Sequence, residues 1–455
     1  MTARKQVGLA RRLGVFDAAL IVMGGIIGSG IFRNPSVVAA RLHQPGLILG
    51  AWVLGGAIAL IGAFIFAELA ARRPNTGGLY AYMRDAYHPA VAFMYGWTLL
   101  LVSQSGGAAA SAVTFAGYFH GLNANWHPNE QLIAAATLAF LTAINCLGVR
   151  AGSNVQNLFM ILKIGAILFL IGAGIFAHPG PMASAATPQL GGSLDVLTAL
   201  GLAMVPVLFA YSGWQTSSFM TGELKDPKRT LPIGMIVGVC AVVVLYLAVN
   251  VISLHTLGAA GLMHTTTPAS DVMQFVMGPR GAQLIAAAVM LSTFGFMSNQ
   301  ILTSPRVYYA MAEDGVFFKS VAWVHPASRV PVVAIALQGI FAIIIALSGK
   351  YDQIQNYVTS VDYTFFALSA IAIFIFRARD RQADAAEPAF RVPGHPVSTA
   401  LFALVAAAVV LNIYIKAPQD SLIGLALLLL AIPVYMLFAR TRRKERQPPN
   451  LAEER

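Results

Sequence analysis

The chain has 455 residues, of which 57% are hydrophobic and only 11% are charged, whereas soluble domains carry about 25% charged residues. This composition excludes a single soluble globular domain and indicates a lipid bilayer as the surroundings. The formal net charge of +11 invites a nucleic-acid interaction, but the positions of the basic residues argue against one.

Runs of apolar residues recur along the whole chain, and a membrane-spanning helix needs about 20 of them. No polar stretch is long enough for a separate soluble domain, and the longest connections fall near 177–195 and 257–281. We therefore predict an all-α polytopic membrane protein. The twelve predicted spans are 14–41, 46–70, 88–119, 132–149, 155–177, 195–221, 231–256, 283–311, 331–348, 355–376, 397–415 and 421–439.

The basic residues follow the positive-inside rule, by which Lys and Arg accumulate in cytoplasmic loops. With an inner N-terminus and an even number of spans, 24 of the 30 Lys and Arg fall on the inner side, five lie at outer ends, and Lys163 lies inside a span. The pattern predicts a plasma (inner) membrane protein with both termini cytoplasmic. The basic tail 440–455 is expected to lie against anionic lipid headgroups, so the charge predicts no nucleic-acid partner.

The first predicted span has two possible readings. Four basic residues precede it, as in a secretory signal peptide. Apolar sequence nevertheless continues past Gly30, and a second span follows. We therefore expect a retained first helix, preceded by a cytoplasmic segment, residues 1–13.

Two spans contain residues that interrupt a helix. The first holds Gly28-Ser29-Gly30, and the sixth holds Pro206 followed by Tyr211-Ser212-Gly213. Unpaired backbone groups cost several kcal/mol each in a bilayer, so such breaks need a purpose. Paired interruptions in corresponding halves of a chain indicate a transporter binding site and an inverted repeat, here 14–177 against 195–376.

The chemistry of such breaks suits a zwitterion. N–H groups freed at the start of a half-helix attract a carboxylate, helped by the helix dipole, and freed carbonyls attract an ammonium group. The two breaks therefore predict a site for an α-amino acid that needs no charged side chain. Small residues also let membrane helices pack closely, but the occurrence of both breaks in matching positions favours the site.

Several motifs occur in the order in which one known family carries them. They lie within 25–32, 68–82, 209–232 and 304–315. In these segments the chain resembles the amino acid–polyamine–organocation (APC) superfamily, and within it the L-type amino acid transporters and related bacterial permeases. The resemblance covers spans 1 to 10. It implies a 5+5 inverted repeat with discontinuous helices 1 and 6, plus two peripheral helices at 397–439.

The resemblance also implies a substrate site made largely of backbone groups. The carboxylate would meet the N–H groups of Ser29, Gly30 and Ile31. The ammonium would meet the carbonyls near Ile27 and of Phe209, Ala210 and Ser212. Trp214 falls where an aromatic residue commonly covers the site on its outer side, although it could instead be an interfacial anchor or a core aromatic.

Selectivity for the substrate side chain must then come from other helices, and the eighth offers Asn299 and Gln300. Either could instead form hydrogen bonds between helices. We expect no acidic residue at the pocket positions, and no basic residue apart from Lys163. This favours neutral L-amino acids, with a polyamine or cationic amino acid permease as the alternative.

Lys163 lies about 12 Å into the fifth span, at 1.5 Å per residue. Intramembrane charges are costly and usually functional, although a lysine near a helix end can extend to the headgroups. In sodium-independent family members a lysine here resembles a stand-in for a bound sodium ion. It would bridge the first helix near Gly25 and Gly28 to the eighth near Ser292 or Ser298. It could stay protonated in an exchanger or exchange a proton, and both roles stay open.

Three classes of function compete. The first is a sodium-independent secondary transporter that works by alternating access, as an exchanger or a proton-coupled symporter. The second is a non-translocating amino acid sensor of the same fold. The third, a membrane enzyme, would need clustered catalytic or metal-binding side chains, and the sequence shows none. We therefore expect no enzyme, no cofactor and no metal site, and no accessory subunit is evident from the sequence.

Overall fold

The computed structural model describes residues 14–73, 78–120, 122, 129–147, 153–180, 182, 185–326, 330–384 and 386–446. The predicted N-terminal segment 1–13 and the end of the predicted tail beyond residue 446 lie outside the described residues. Within the described ranges the regular structure is entirely helical, without a β-strand. Helices satisfy their backbone hydrogen bonds internally, which is what a bilayer demands, and the all-α prediction is confirmed.

The first part of the chain forms helices α1 to α8. They are α1 (Val15–Ile26), α2 (Gly30–Leu42), α3 (Pro45–Arg72), α4 (Leu79–Ala86), α5 (Pro89–Thr98), α6 (Gln104–His120), α7 (Glu130–Cys146) and α8 (Ser153–Ile175). A π-helical turn, Leu99–Ser103, joins α5 and α6 into one long helix.

The second part forms α9 to α16 and two short 3-10 helices. They are α9 (Ser193–Tyr211), the 3-10 helix Trp214–Glu223, α10 (Pro227–Met263), α11 (Pro268–Thr303), α12 (Pro305–Glu313), the 3-10 helix Lys319–Ala322, α13 (Val332–Ser348), α14 (Tyr351–Gln382), α15 (Val397–Lys416) and α16 (Pro418–Arg446).

The prediction of a long connection near 257–281 is wrong. Helix α10 continues to Met263 and α11 begins at Pro268, so most of this stretch is helical. Each helix bends at a glycine of positive φ, Gly258 at 69° and Gly278 at 70°. Glycine adopts these angles without a side-chain clash, so the helical segments change direction there instead of ending.

Eight helices of the described residues are long and apolar enough to cross a membrane, and α1 with α2 forms a ninth candidate bent by 45°. Three shorter apolar helices, Glu130–Cys146, Phe159–Ile175 and Val332–Ser348, lie where spans 4, 5 and 9 are predicted. Each predicted run therefore coincides with a helix or a broken helix. The full count of twelve crossings stays a prediction.

The two halves of the chain pack against each other in a regular way. Helix α2 packs on α9, α1 on the 3-10 helix Trp214–Glu223, α3 on α10, α6 on α11, and α7 on α13. In the numbering of the predicted spans, span 1 contacts span 6, span 2 contacts span 7, span 3 contacts span 8 and span 4 contacts span 9. An inverted repeat would produce this pairing, and it brings the two helix breaks together.

Candidate functional site

The first helix break separates α1 from α2 by three residues and begins at Ile27, whose backbone leaves the helix at φ −73° and ψ 87°. The next helix begins at Gly30. Among the described residues, no group accepts a hydrogen bond from the N–H of Ser29, Gly30 or Ile31. The N-terminus of α2 therefore offers three free donors at the positive end of a helix dipole.

The second break follows α9, which ends at Tyr211. Ser212 is extended, and Gly213 has φ 121°, a conformation that favours glycine. The Gly213 N–H donates to Gln215 Oε1 at 3.0 Å, and its carbonyl accepts from the Thr216 hydroxyl at 2.7 Å. Within the described part of the chain the Ser212 carbonyl accepts no hydrogen bond, so this break offers a free acceptor.

Glycines allow the two breaks to touch through their backbones. A Cβ added to Gly30 would lie 2.6 Å from the Cα of Ala210, and one added to Gly25 would lie 2.7 Å from the carbonyl oxygen of Gly213. Any side chain at these positions would push the breaks apart. The glycine cluster of the first span therefore has a packing role, and that packing places the free donors of one break beside the free acceptor of the other.

Tyr246 of α10 lies between the two breaks, and the sequence analysis did not predict it as a site residue. It is wholly buried, and its hydroxyl lies 3.2 Å from the Ile26 carbonyl and 3.3 Å from the Ala210 carbonyl. Its ring packs against Tyr211 and Trp52, with ring centres 5.1 and 5.9 Å apart. A tyrosine inside an apolar run resembles any core aromatic, so only the contacts reveal its position.

A polar cavity opens where the two helix breaks meet. The predicted site residues that line the cavity are Ser29, Gly30, Phe209, Ala210, Ser212 and Gln300. The predicted residues outside its lining are Ile27, Ile31, Trp214, Asn299 and Lys163.

Trp214 lies in the protein core. Its side chain is 0% exposed, and its ring packs on Phe366 with centres 5.3 Å apart. This is the core-aromatic position that the sequence left open as an alternative to an outer cover. Phe209 lines the cavity instead and packs edge-on against the ring of Tyr351, with ring centres 6.4 Å apart. Asn299 lies beside Gln300 on α11, but only Gln300 reaches the cavity.

Lys163 is 3% exposed and lies behind the cavity wall. Its Nζ donates to the Ile27 carbonyl at 2.6 Å and lies 5.3 Å from the ring centre of Phe296. Phe296 lines the cavity and covers Gly28. The lysine thus contacts the first break and α11, where it meets an aromatic ring and not the expected serines. No carboxylate of the described residues pairs with it.

Asp362 corrects one expectation from the sequence. It lines the cavity from α14 and is 8% exposed, although no acidic residue was expected at the pocket. Val358, one helical turn earlier, lines the cavity too. Val358 and Asp362 are four residues apart and so share one face of α14. This spacing would have predicted Asp362 in the cavity if the face of α14 toward the breaks had been known.

A buried ion-pair network fixes α14 against α3. Glu68, with a side chain 0% exposed, accepts hydrogen bonds from Arg72 at 2.7 Å, from Arg377 at 2.9 and 2.7 Å, and from the Val392 N–H at 2.6 Å. Asp380 accepts from Arg72 at 2.6 Å. Such charge-assisted, bidentate bonds are strong and directional, so the helix that carries Asp362 is held in place.

The described part of the chain, with many apolar helices and a polar cavity at two facing helix breaks, has the construction of a secondary transporter. Comparison with known proteins gives the particular family. The sequence model described as "Amino acid permease" matches residues 13–438. The chain belongs to this amino acid permease family, within the APC superfamily and close to the L-type transporters, and it is a transporter, not an enzyme.

Individual relatives agree with the family. The chain is 32% identical over 396 residues to the serine/threonine exchanger SteT of Bacillus subtilis (strain 168). The aligned region covers 86% of this chain and 88% of SteT. It is 29% identical over 378 residues to human b(0,+)-type amino acid transporter 1, covering 82% and 77% of the two chains. It is 28% identical over 445 residues to human large neutral amino acids transporter small subunit 2, covering 95% and 81%.

Proposed function

We propose that this protein is a sodium-independent secondary transporter of L-amino acids that works by alternating access. The observation that carries the proposal is the pair of facing helix breaks. One presents free N–H donors and the other a free carbonyl around a single cavity. These are the two kinds of group that an α-carboxylate and an α-ammonium require.

The carboxylate would bind at the N-terminus of α2, on the N–H groups of Ser29, Gly30 and Ile31. The ammonium would bind the second break, where the Ser212 carbonyl is free. The Phe209 and Ala210 carbonyls already accept one bond each, and a carbonyl has a second lone pair to offer. The substrate is then held by its backbone, and its side chain points toward the remaining wall.

Lys163 supports sodium independence. Its ammonium is bonded to the first break and lies over an aromatic ring of α11, so a fixed cation occupies the junction of these two elements. The Lys163 ammonium at this junction would take the place of a bound sodium ion. Exchange is the coupling mode that we favour over proton symport, because SteT is an exchanger by name.

The cavity wall beyond the breaks includes Phe209, Phe296, Val358 and Gly107. These residues suit uncharged side chains, and the names of two relatives specify serine and threonine or large neutral amino acids. We therefore propose neutral L-amino acids as substrates. Asp362 in the same wall favours cationic amino acids as a second class.

The proposed architecture completes this assignment. We propose twelve spans, with a first repeat at 14–177, a second at 195–376 and peripheral helices at 397–439. The packing of α3 on α10, α6 on α11 and α7 on α13 supports the repeat. The location of basic residues supports a plasma-membrane position with both termini cytoplasmic.

The test is uptake by purified protein in liposomes. Labelled L-serine or L-leucine is added outside liposomes that contain the same unlabelled amino acid or none, in sodium or choline buffer, with and without a pH gradient. We expect uptake that requires internal amino acid and is equal in sodium and choline. Uptake only in sodium would contradict the role given to Lys163. Binding without uptake would identify a sensor, and neither binding nor uptake would refute the proposal.

A further inference from the structure

Asp362 is a buried acid without a counter-charge. No Lys, Arg or His in the described ranges forms an ion pair with it, whereas Glu68 and Asp380, elsewhere on the α3–α14 contact, are both paired with arginines. The neutral Ser103 hydroxyl interacts with its carboxylate. Lys163, which lies behind the cavity wall, is bonded to the Ile27 carbonyl instead.

A second group on the same wall also has an unused acceptor. Gln300 lines the cavity, and its side-chain oxygen is buried without a hydrogen-bond partner among the described residues. Buried polar groups are normally hydrogen-bonded, and a buried charge without a partner is costlier still. A wall with a carboxylate and a free amide oxygen therefore suits a ligand that brings hydrogen-bond donors and a positive charge.

We propose that Asp362 determines substrate specificity by pairing with the cationic side chain of a basic amino acid. The inference rests on the proposed function, which holds the α-carboxylate and α-ammonium of the substrate at the two breaks. Those groups come from α1, α2 and α9, and Asp362 faces the same cavity from α14. One molecule can thus bind the breaks with its backbone and Asp362 with its side chain.

The ion pair between Glu68 and Arg377 fixes α14 against α3. It therefore holds Asp362 of α14 in a defined position in the cavity wall. A rigidly held carboxylate loses little entropy when it pairs with a ligand, so more of the pairing energy appears as affinity. Neutral amino acids bind the same breaks but leave Asp362 without a counter-charge.

The experiment compares each basic amino acid with a neutral isostere. Purified wild-type protein, Asp362→Asn and the control Asp420→Asn are titrated at pH 7 with L-ornithine and L-norleucine, and with L-arginine and L-citrulline. Asp420 lies outside the cavity and accepts from Asn356 at 2.9 Å. We expect wild type and the control to bind the cationic member of each pair about tenfold or more tightly, since bonds to charged groups are strong. Asp362→Asn should abolish this preference by weakening the cationic member of each pair.

Several results would overturn the inference. The inference is wrong if wild-type protein binds both members of each pair with equal affinity. This result does not depend on whether Asp362→Asn folds. Equal weakening of both members in Asp362→Asn is another. A change confined to the pH dependence of neutral uptake would make Asp362 a proton site instead. Binding of norleucine without any preference would leave the proposed function intact, whereas no binding of any amino acid would refute that function as well.

Discussion

Gly30 is the first residue of α2 and lies against Ala210 of α9, and the substitution Gly30→Ala puts a methyl group into that contact. The new Cβ would lie 2.6 Å from the Cα and 2.7 Å from the Cβ of Ala210, whereas ordinary contact begins at 3.4 Å. One neighbour is backbone and cannot rotate away. The two breaks must therefore separate by about 0.8 Å.

The separation has two energetic consequences. Overpacking of this kind costs about 1–3 kcal/mol of folding free energy. The free N–H groups of α2 also move relative to the carbonyls of the second break, so one substrate can no longer reach both. If two bonds to the charged carboxylate are lost, at about 1.5 kcal/mol each, affinity falls about 100-fold.

The assay is the Kd of whichever of L-serine and L-leucine the wild-type protein takes up faster, measured on purified protein together with its Tm. The matched control is Gly165→Ala in α8, where an added Cβ meets nothing within 4 Å. We expect the control to bind normally. A folded Gly30→Ala protein that binds within about threefold of wild type would refute the reasoning, because the displacement would then have cost far less than two bonds.

Four further substitutions, one of them a control, test the site and the ion-pair network. Lys163→Met removes the ammonium bonded to the Ile27 carbonyl, so we expect sodium-free uptake to fall about tenfold or more, and unchanged uptake would exclude a role in transport. Glu68→Gln removes the buried carboxylate that Arg72 and Arg377 share, which costs about 3–5 kcal/mol, and should lower the Tm clearly. Glu387→Gln breaks an exposed pair and should change the Tm little, so equal effects would contradict the network's role. Tyr246→Phe removes a hydroxyl shared by the two breaks, which should weaken binding about two- to tenfold, and full affinity would show that the bridge is dispensable.

Sequence reasoning located the helices and the breaks because both depend on local chemistry. Apolar length alone defines a potential span, and every predicted run coincides with a helix of the structure. The interruption between α1 and α2 and the turn after α9 follow from glycine and proline within a few residues. Kinks at Gly258 and Gly278 were missed because the same residues also occur in loops.

The composition of the cavity wall could not be predicted, since it depends on how distant helices rotate against one another. Asp362 is 150 residues beyond Ser212 in the chain, and its face becomes defined only when α14 packs on α3 and α9. Trp214 shows the converse. Its neighbourhood in the chain indicated the substrate site, but the 3-10 helix turns its ring to Phe366.

The central claim is that the two breaks recognise the α-carboxylate and the α-ammonium of one amino acid. Competition against labelled L-leucine tests it directly, with L-leucinol, which lacks the carboxylate, and 4-methylpentanoate, which lacks the ammonium. Both keep the leucine side chain. We predict that each analogue competes about 100-fold less well than L-leucine, or worse, because each loses its bonds to one break. Competition by either analogue at the level of L-leucine would contradict the claim.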